Sequence, residues 1–255
     1  MCIILLAYES HPSHRLILAA NRDEFYERPT ARADFWPDAP QVLAGRDLRG
    51  GGTWMGITKD GRIAAVTNFR DTSSRKENAP SRGWLVRDFL VGQDSPAAYL
   101  QALTPRASEY DAFNLIVGDR HGLYHYSNRA DGIHAFSRGL YGLSNHLLDT
   151  SCPKVERGKR AMARLLSQDE ISTEAIFSIL ADRSRADDSY LPDTGVGIDL
   201  ERTLSPLFVS SPFYGTRSST VVLINQEDVT FIERSFSTGP DDFEEVKYQF
   251  KTEPE

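Results

Sequence analysis

The sequence predicts an α+β fold of antiparallel sheets covered by helices. Three observations carry that prediction. Short apolar runs come in pairs separated by turn residues, and strand groups alternate with helix groups rather than strand by strand with helices. Neither an internal repeat nor a Gly-Ser linker divides the 255 residues, so a single domain spanning residues 1–255 is the simplest organisation.

Taken in order, "CIILLAYE" and "RLILAAN" flank "SHPSH" and read as a first hairpin. Residues 25–52, with Pro29, Pro37 and Pro40 and the run Gly50-Gly51-Gly52, read as loop; "GRDLRGGG" is expected to be a tight loop near the pocket. "TWMGIT", the turn "KDG" and "RIAAVTNF" form a second hairpin, signalled by Asp60-Gly61. Ser81 to Leu90 place Trp84, Leu85, Phe89 and Leu90 on one helical face, and Ser95-Pro96 opens another helix. "FNLIVGD", "GLYHYS", "GIHAFS" and "GLYGLSN" are strands divided by Gly- and Asn-bearing turns. Pro153 to Ser167 and Ser172 to Arg183 are amphipathic helices, and the polar segment 184–206 reads as surface loop. "SSTVVLIN", "DVTFIERSF" and "EEVKYQF" follow as strands.

Hydrophobic residues make up 40% and charged residues 25%, an ordinary composition for a soluble globular chain. The net charge of −7 argues against a nucleic-acid-binding surface. Two cysteines, Cys2 and Cys152, offer no disulfide framework, which predicts a reducing, cytoplasmic setting. "CIILLA" is far short of the roughly 20 residues that span a bilayer, so no integral membrane segment is expected. Zinc-ligand spacing, a P-loop and a dinucleotide fingerprint are all missing, and no metal is predicted.

Cys2 stands directly behind the initiator methionine. If Met1 is removed, the Cys2 α-amine, with an ordinary pKa of about 7.7–8.0, lies beside its own thiol and can serve as its general base. The alternative is a small hydrophobe at the start of a buried strand. The hairpin returns the exit of the second strand to residue 2, which puts Asn21, Arg22 and Asp23 near the Cys2 amine and thiol. Asp23 can hold the ammonium and Arg22 can favour thiolate, or the group is a charged surface turn. Asn68 and Asn145 end two further strands, as amide donors for an oxyanion or as turn residues. Arg217 enters a late apolar strand, as a site residue or a strand-edge charge.

Cys2, "NRDE" at 21–24, "GGGTWMG" at 50–56, "TNFRD" at 67–71, "LSNHLLDTSCPKV" at 143–155 and "GTRSSTV" at 216–221 resemble the NRDE family, the transport and Golgi organisation family. That family resembles N-terminal nucleophile hydrolases of the choloylglycine hydrolase and penicillin V acylase type. The resemblance implies a four-layer αββα sandwich of two antiparallel sheets. It also implies Cys2 as nucleophile and base, Asp23 as holder of the α-amine, Asn68 and Asn145 as oxyanion or substrate donors, and Arg217 as organiser. Ala20 stands where those hydrolases carry arginine; Arg22 shares the face of Ala20, about 6–7 Å further along the strand.

Two functions follow. One is a thiol amidohydrolase or acyltransferase acting on a small non-peptide amide or acyl thioester, without a cofactor. The other, implied by the family's association with haem trafficking and acyl-CoA metabolism, is a non-catalytic carrier. For that carrier haem is the candidate cofactor, with Cys152 of the Cys152-Pro153 pair, His11, His14 and His146 as weak ligand candidates.

Overall fold

The computed structural model describes residues 2–71 and 76–253. Its strands, in chain order, are β1 (Cys2–His11), β2 (His14–Phe25), β3 (Thr30–Trp36), β4 (Ala39–Asp47), β5 (Met55–Thr58), β6 (Ile63–Asn68), β7 (Phe113–Gly118), β8 (Leu123–Ser127), β9 (Ile133–Ala135), β10 (Gly139–Leu143), β11 (Tyr214–Ile224), β12 (Asp228–Gly239) and β13 (Asp242–Lys251). The helices are α1 (Gly83–Val91), α2 (Pro96–Leu103), α3 (Pro153–Leu165), α4 (Thr173–Leu180) and α5 (Ile198–Leu204). The α+β class with antiparallel sheets is as the sequence predicts. Two compact units are present, Met1–Glu27 with Ser137–Gln249 and Arg28–Phe136 with Phe250–Glu255.

The first unit holds a six-stranded sheet in the order β10-β1-β2-β11-β12-β13. Alternation along β1 and β2 sends Ile3, Leu5, Ala7, Ile17 and Ala19 to one face, where they pack with Val155, Met162 and Leu165 of α3 and Ile176, Phe177 and Leu180 of α4. Pro153 starts α3 with its φ preset, and Ser172 caps α4 by accepting the Ala175 N–H. Gly158 lets α3 press on β1, because a Cβ there would lie 2.7 Å from Leu5. The second unit holds the seven-stranded sheet β3 to β9 in sequence order. Its core joins Val42, Ala64, Val66, Leu115 and Val117 to Leu85, Phe89 and Leu90 of α1 and Leu100 and Leu103 of α2.

Residues 25–52 correct the loop expectation, because they carry β3 and β4. Pro37 lies between the two strands, and Pro40 is an exposed position at the start of β4, where a missing N–H is tolerated. The segment 184–206 is likewise not all loop, since α5 lies within it. The largest correction concerns Asn21-Arg22-Asp23-Glu24. These residues are not the exit of β2 or a surface turn; β2 runs on to Phe25, and Asn21, Arg22 and Asp23 are all buried.

Candidate functional site

Cys2 opens β1 and is the register partner of Arg22 on β2. Arg22 is in turn opposite Ser218 on β11, and Ser218 is opposite Ser235 on β12. Directly opposed residues share a face, so these four form one row across the sheet. Asn21 and Asp23 point to the other face, toward the helices. Asn21 Nδ2 donates to the carbonyls of Leu180 and Leu207, both at 2.9 Å, and its Oδ1 accepts from Ser219 Oγ at 2.6 Å. Asn21 is therefore a clamp between sheet and helix layer.

Asp23 is 2% exposed, and its Oδ1 accepts from Thr216 Oγ1 at 2.7 Å. Thr216 Oγ1 itself accepts the Val209 N–H at 2.9 Å, which orients its proton toward the carboxylate. Register explains how Thr216 and Ser218, two residues apart, serve opposite faces: the β2–β11 pairing shifts between them, with Arg217 as the extra residue of a bulge. Burial raises the Asp23 carboxyl above its usual range, against the pull of Lys154, the Thr216 hydrogen bond and Arg22. The half-buried Cys2 thiol accepts the Asp23 backbone N–H. Its pKa is raised, first by burial and then by the Asp23 charge, while Arg22 opposes the rise.

Asn145 lies two residues beyond β10, the strand paired with β1 on its other side, and is buried. Its neighbour Ser144 donates through Oγ to the Cys2 carbonyl at 3.2 Å, so the β10 exit is tied to the first residue of β1. Arg217 donates through its guanidinium to the carbonyls of Phe25 and Tyr26, both at 3.0 Å, and so fixes the end of β2. Asn68 closes β6 in the second unit, exposed. The structure thus gathers Cys2, Arg22, Asp23 and Asn145 around the start of β1, and puts Arg217 one residue before the row.

Lys154, Thr216 and Ser218 went unnoticed in the sequence. Lys154 had a signal: a cation in the first turn of a helix opposes the helix dipole and asks for a reason. Of "GRDLRGGG", residues 45–47 end β4 and 48–52 form the expected tight loop: Asp47 Oδ1 accepts the N–H groups of Arg49 and Gly50, and Gly51 has φ +72°. Of the remaining candidates, His11 Nε2 is 3.0 Å from the Gln168 carbonyl and its Nδ1 is 3.4 Å from His14 Nδ1. His146 Nδ1 is 3.0 Å from Thr150 Oγ1, and Cys152 is the half-buried N-cap of α3. Among the described residues, no group of three or more His, Cys, Asp or Glu could hold a metal ion, and no helix is long and apolar enough to cross a membrane.

Residues 1–238 match the family model described as Transport and Golgi organisation 2. The Transport and Golgi organization protein 2 homolog of Bos taurus is 35% identical, over 98% of this chain and 99% of that one. The Homo sapiens homolog is 34% identical, over 92% and 93%. Among solved structures, a Caenorhabditis elegans N-acylethanolamine-hydrolyzing acid amidase ortholog aligns with TM-score 0.55 and 12% identity, over 87% of this chain and 92% of that one. A mutant conjugated bile acid hydrolase from Clostridium perfringens aligns with TM-score 0.54 and 10% identity, over 97% and 96%. These two likenesses show the fold, that of the N-terminal nucleophile hydrolases.

Proposed function

The chain belongs to the Transport and Golgi organisation 2 family, and from that premise we propose that it is a thiol amidohydrolase or acyltransferase with Cys2 as nucleophile. The substrate class is a small non-peptide amide or acyl thioester. The observation that carries this reading is the setting of Cys2: register partner of Arg22, thiol on the Asp23 N–H, and a buried Asp23 carboxylate beside it. Met1 lies outside the described residues, and its removal is part of the proposal. The freed α-amine takes the thiol proton, and the thiolate attacks the acyl carbon. The C–N or C–S bond of the substrate then breaks, with the ammonium returning its proton to the leaving group. Water or an acceptor nucleophile cleaves the acyl-enzyme thioester and regenerates the thiol. Arg22 stabilises thiolate by charge, and Asn145 supplies an amide donor for the oxyanion.

One observation favours a second reading, a carrier for an acyl-CoA or haem: burial raises the Cys2 thiol, which slows a nucleophile. His11 does not fit as a haem ligand, because both ring nitrogens are engaged: Nε2 with the Gln168 carbonyl and Nδ1 as acceptor of the Ser13 N–H.

Intact mass of the purified native protein, followed by iodoacetamide labelling against pH, separates the readings. For the enzyme, Met1 is absent and Cys2 alkylates faster than Cys152 at neutral pH. Turnover across a panel of N-acyl amides and acyl thioesters is lost in Cys2→Ala. A retained Met1, or a Cys2 that labels only above about pH 8.5 as an ordinary thiol does, with ligand binding intact in Cys2→Ala, establishes the carrier instead.

A further inference from the structure

Lys154 is an expensive residue. It is 5% exposed, and its Nζ is buried without a hydrogen bond. It occupies the first turn of α3, directly after Pro153, where the helix dipole disfavours a cation. A lysine is almost never fully buried without a partner, so something must compensate it.

The other carboxylates on the elements around α3 have cations of their own. Asp149 holds Lys159 at 2.7 Å, Asp182 holds Arg157 at 3.0 Å, and Glu174 is paired with Arg234. Glu156, on α3 itself, is exposed. Asp23, 2% exposed and on the face of β2 that packs against α3 and α4, is the buried carboxylate on that face, and its charge is the one Lys154 meets. On the strand side are the Cys2 thiol, its backbone nitrogen and Arg22. Asp23 is thus the middle member of a line that starts at α3 and ends at the proposed nucleophile.

We propose that Lys154 is a positioning residue for the Cys2 reaction: its positive charge balances the Asp23 carboxylate, which leaves the freed α-amine of Cys2 able to exist uncharged and accept the thiol proton. The inference rests on the N-terminal-nucleophile reading above. Without Lys154, the amine and thiol lose a nearby positive charge, and both would keep their protons to higher pH. With it, one carboxylate can hold the amine in place without locking it as ammonium.

The test is the pH profile of Cys2 alkylation in the native protein and in Lys154→Met, Lys154→Gln and Lys154→Arg, read by peptide mass spectrometry. N-acetylcysteine is the internal rate standard, because Cys152 is too near the altered residue. Methionine keeps the length and removes the charge; glutamine is the second neutral variant should methionine not fold. Both neutral variants are expected to shift the midpoint upward by about one pH unit, a roughly tenfold slower reaction at pH 7, and Lys154→Arg to restore most of it. A neutral variant that folds and keeps the native midpoint overturns the proposal, as does an arginine variant that behaves like methionine. A native Cys2 that never outruns the standard would instead overturn the parent reading, and the two failures are therefore distinct.

Discussion

In the sheet that runs from β3 to β9, Asn114, Thr67, His125 and Ser127 form a buried network across β6, β7 and β8. Asn114 Nδ2 donates to Thr67 Oγ1 at 3.2 Å, and its Oδ1 lies 3.4 Å from His125 Nε2. Ser127 Oγ donates to the Phe113 carbonyl at 2.9 Å. In the sheet containing β1 and β2, by contrast, the groups gathered around the start of β1 are ionisable: the half-buried Cys2, the buried Arg22 and Asp23 and, behind them, the buried Lys154. The neutral set pins the register of β6, β7 and β8 and needs no further explanation. The charged set costs desolvation that an apolar set of similar size would avoid, and such cost concentrates where chemistry is done.

The largest expected effect breaks the comparison from the stabilising side. Asn21 is the one polar residue of the charged neighbourhood that works purely as a clamp, and Asn21→Ala strands two carbonyls and the Ser219 hydroxyl. A loss of about 4 kcal/mol is expected in urea unfolding, summing about 1–3 kcal/mol per orphaned group. Asn114→Ala, in the neutral network, should cost about half as much.

Next comes acid. Burial pushes His125 down to about 4 from an ordinary 6.5. Its folded-state pKa lies below the unfolded one, so stability is complete above pH 6.5 and is lost as pH falls toward 4. The expected loss is about 3 kcal/mol, seen as a falling thermal midpoint, and His125→Gln should flatten that slope. If the slope instead persists in the variant, the acid-sensitive group belongs to the other sheet.

A smaller effect sharpens the functional side. Asp23→Asn keeps the size and removes the charge; Cys2 labelling at neutral pH should change by about tenfold, equivalent to about 1.4 kcal/mol, while Cys152 labelling stays constant. The smallest effect is a control across the two units. Ser95→Ala and Ser172→Ala each delete an N-cap whose hydroxyl accepts the N–H three residues on. Each should cost about 1 kcal/mol, equal in both units, because capping is local.

Local signals made the hairpins readable. "SHPSH" and Asp60-Gly61 mark turns, and the Pro-led start of α3 and the serine caps of α2 and α4 were visible because each lies within a few residues of the element it bounds. What could not be read is non-local. "NRDE" looked like the end of a strand because charge usually means solvent, yet its partners come from β11, about 190 residues away. Lys154 escaped for the same reason: its counter-charge is on β2. The strands β3 and β4 were hidden by prolines, and α5 by its length of 7 residues and its polar composition. The return of Asn21, Arg22 and Asp23 to the Cys2 end of the hairpin was legible from the turn alone, and the register, with Arg22 opposite Cys2, bears it out.

The bulge at Arg217 splices two alternations in one strand. Before it, Thr216 keeps phase with Asp23; after it, Ser218 keeps phase with Arg22. Point changes at either residue alter one face and leave the other in phase. Losing the codon for residue 217 would leave Thr216 opposite Asp23 and Ser218 opposite Arg22 in an unbroken ladder, and would remove only the bonds of Arg217 to the Phe25 and Tyr26 carbonyls. Gaining a codon between 218 and 224 is different in kind, since the residues beyond it trade one face for the other. This strand should therefore accept a shortening at the bulge and reject a lengthening beyond it.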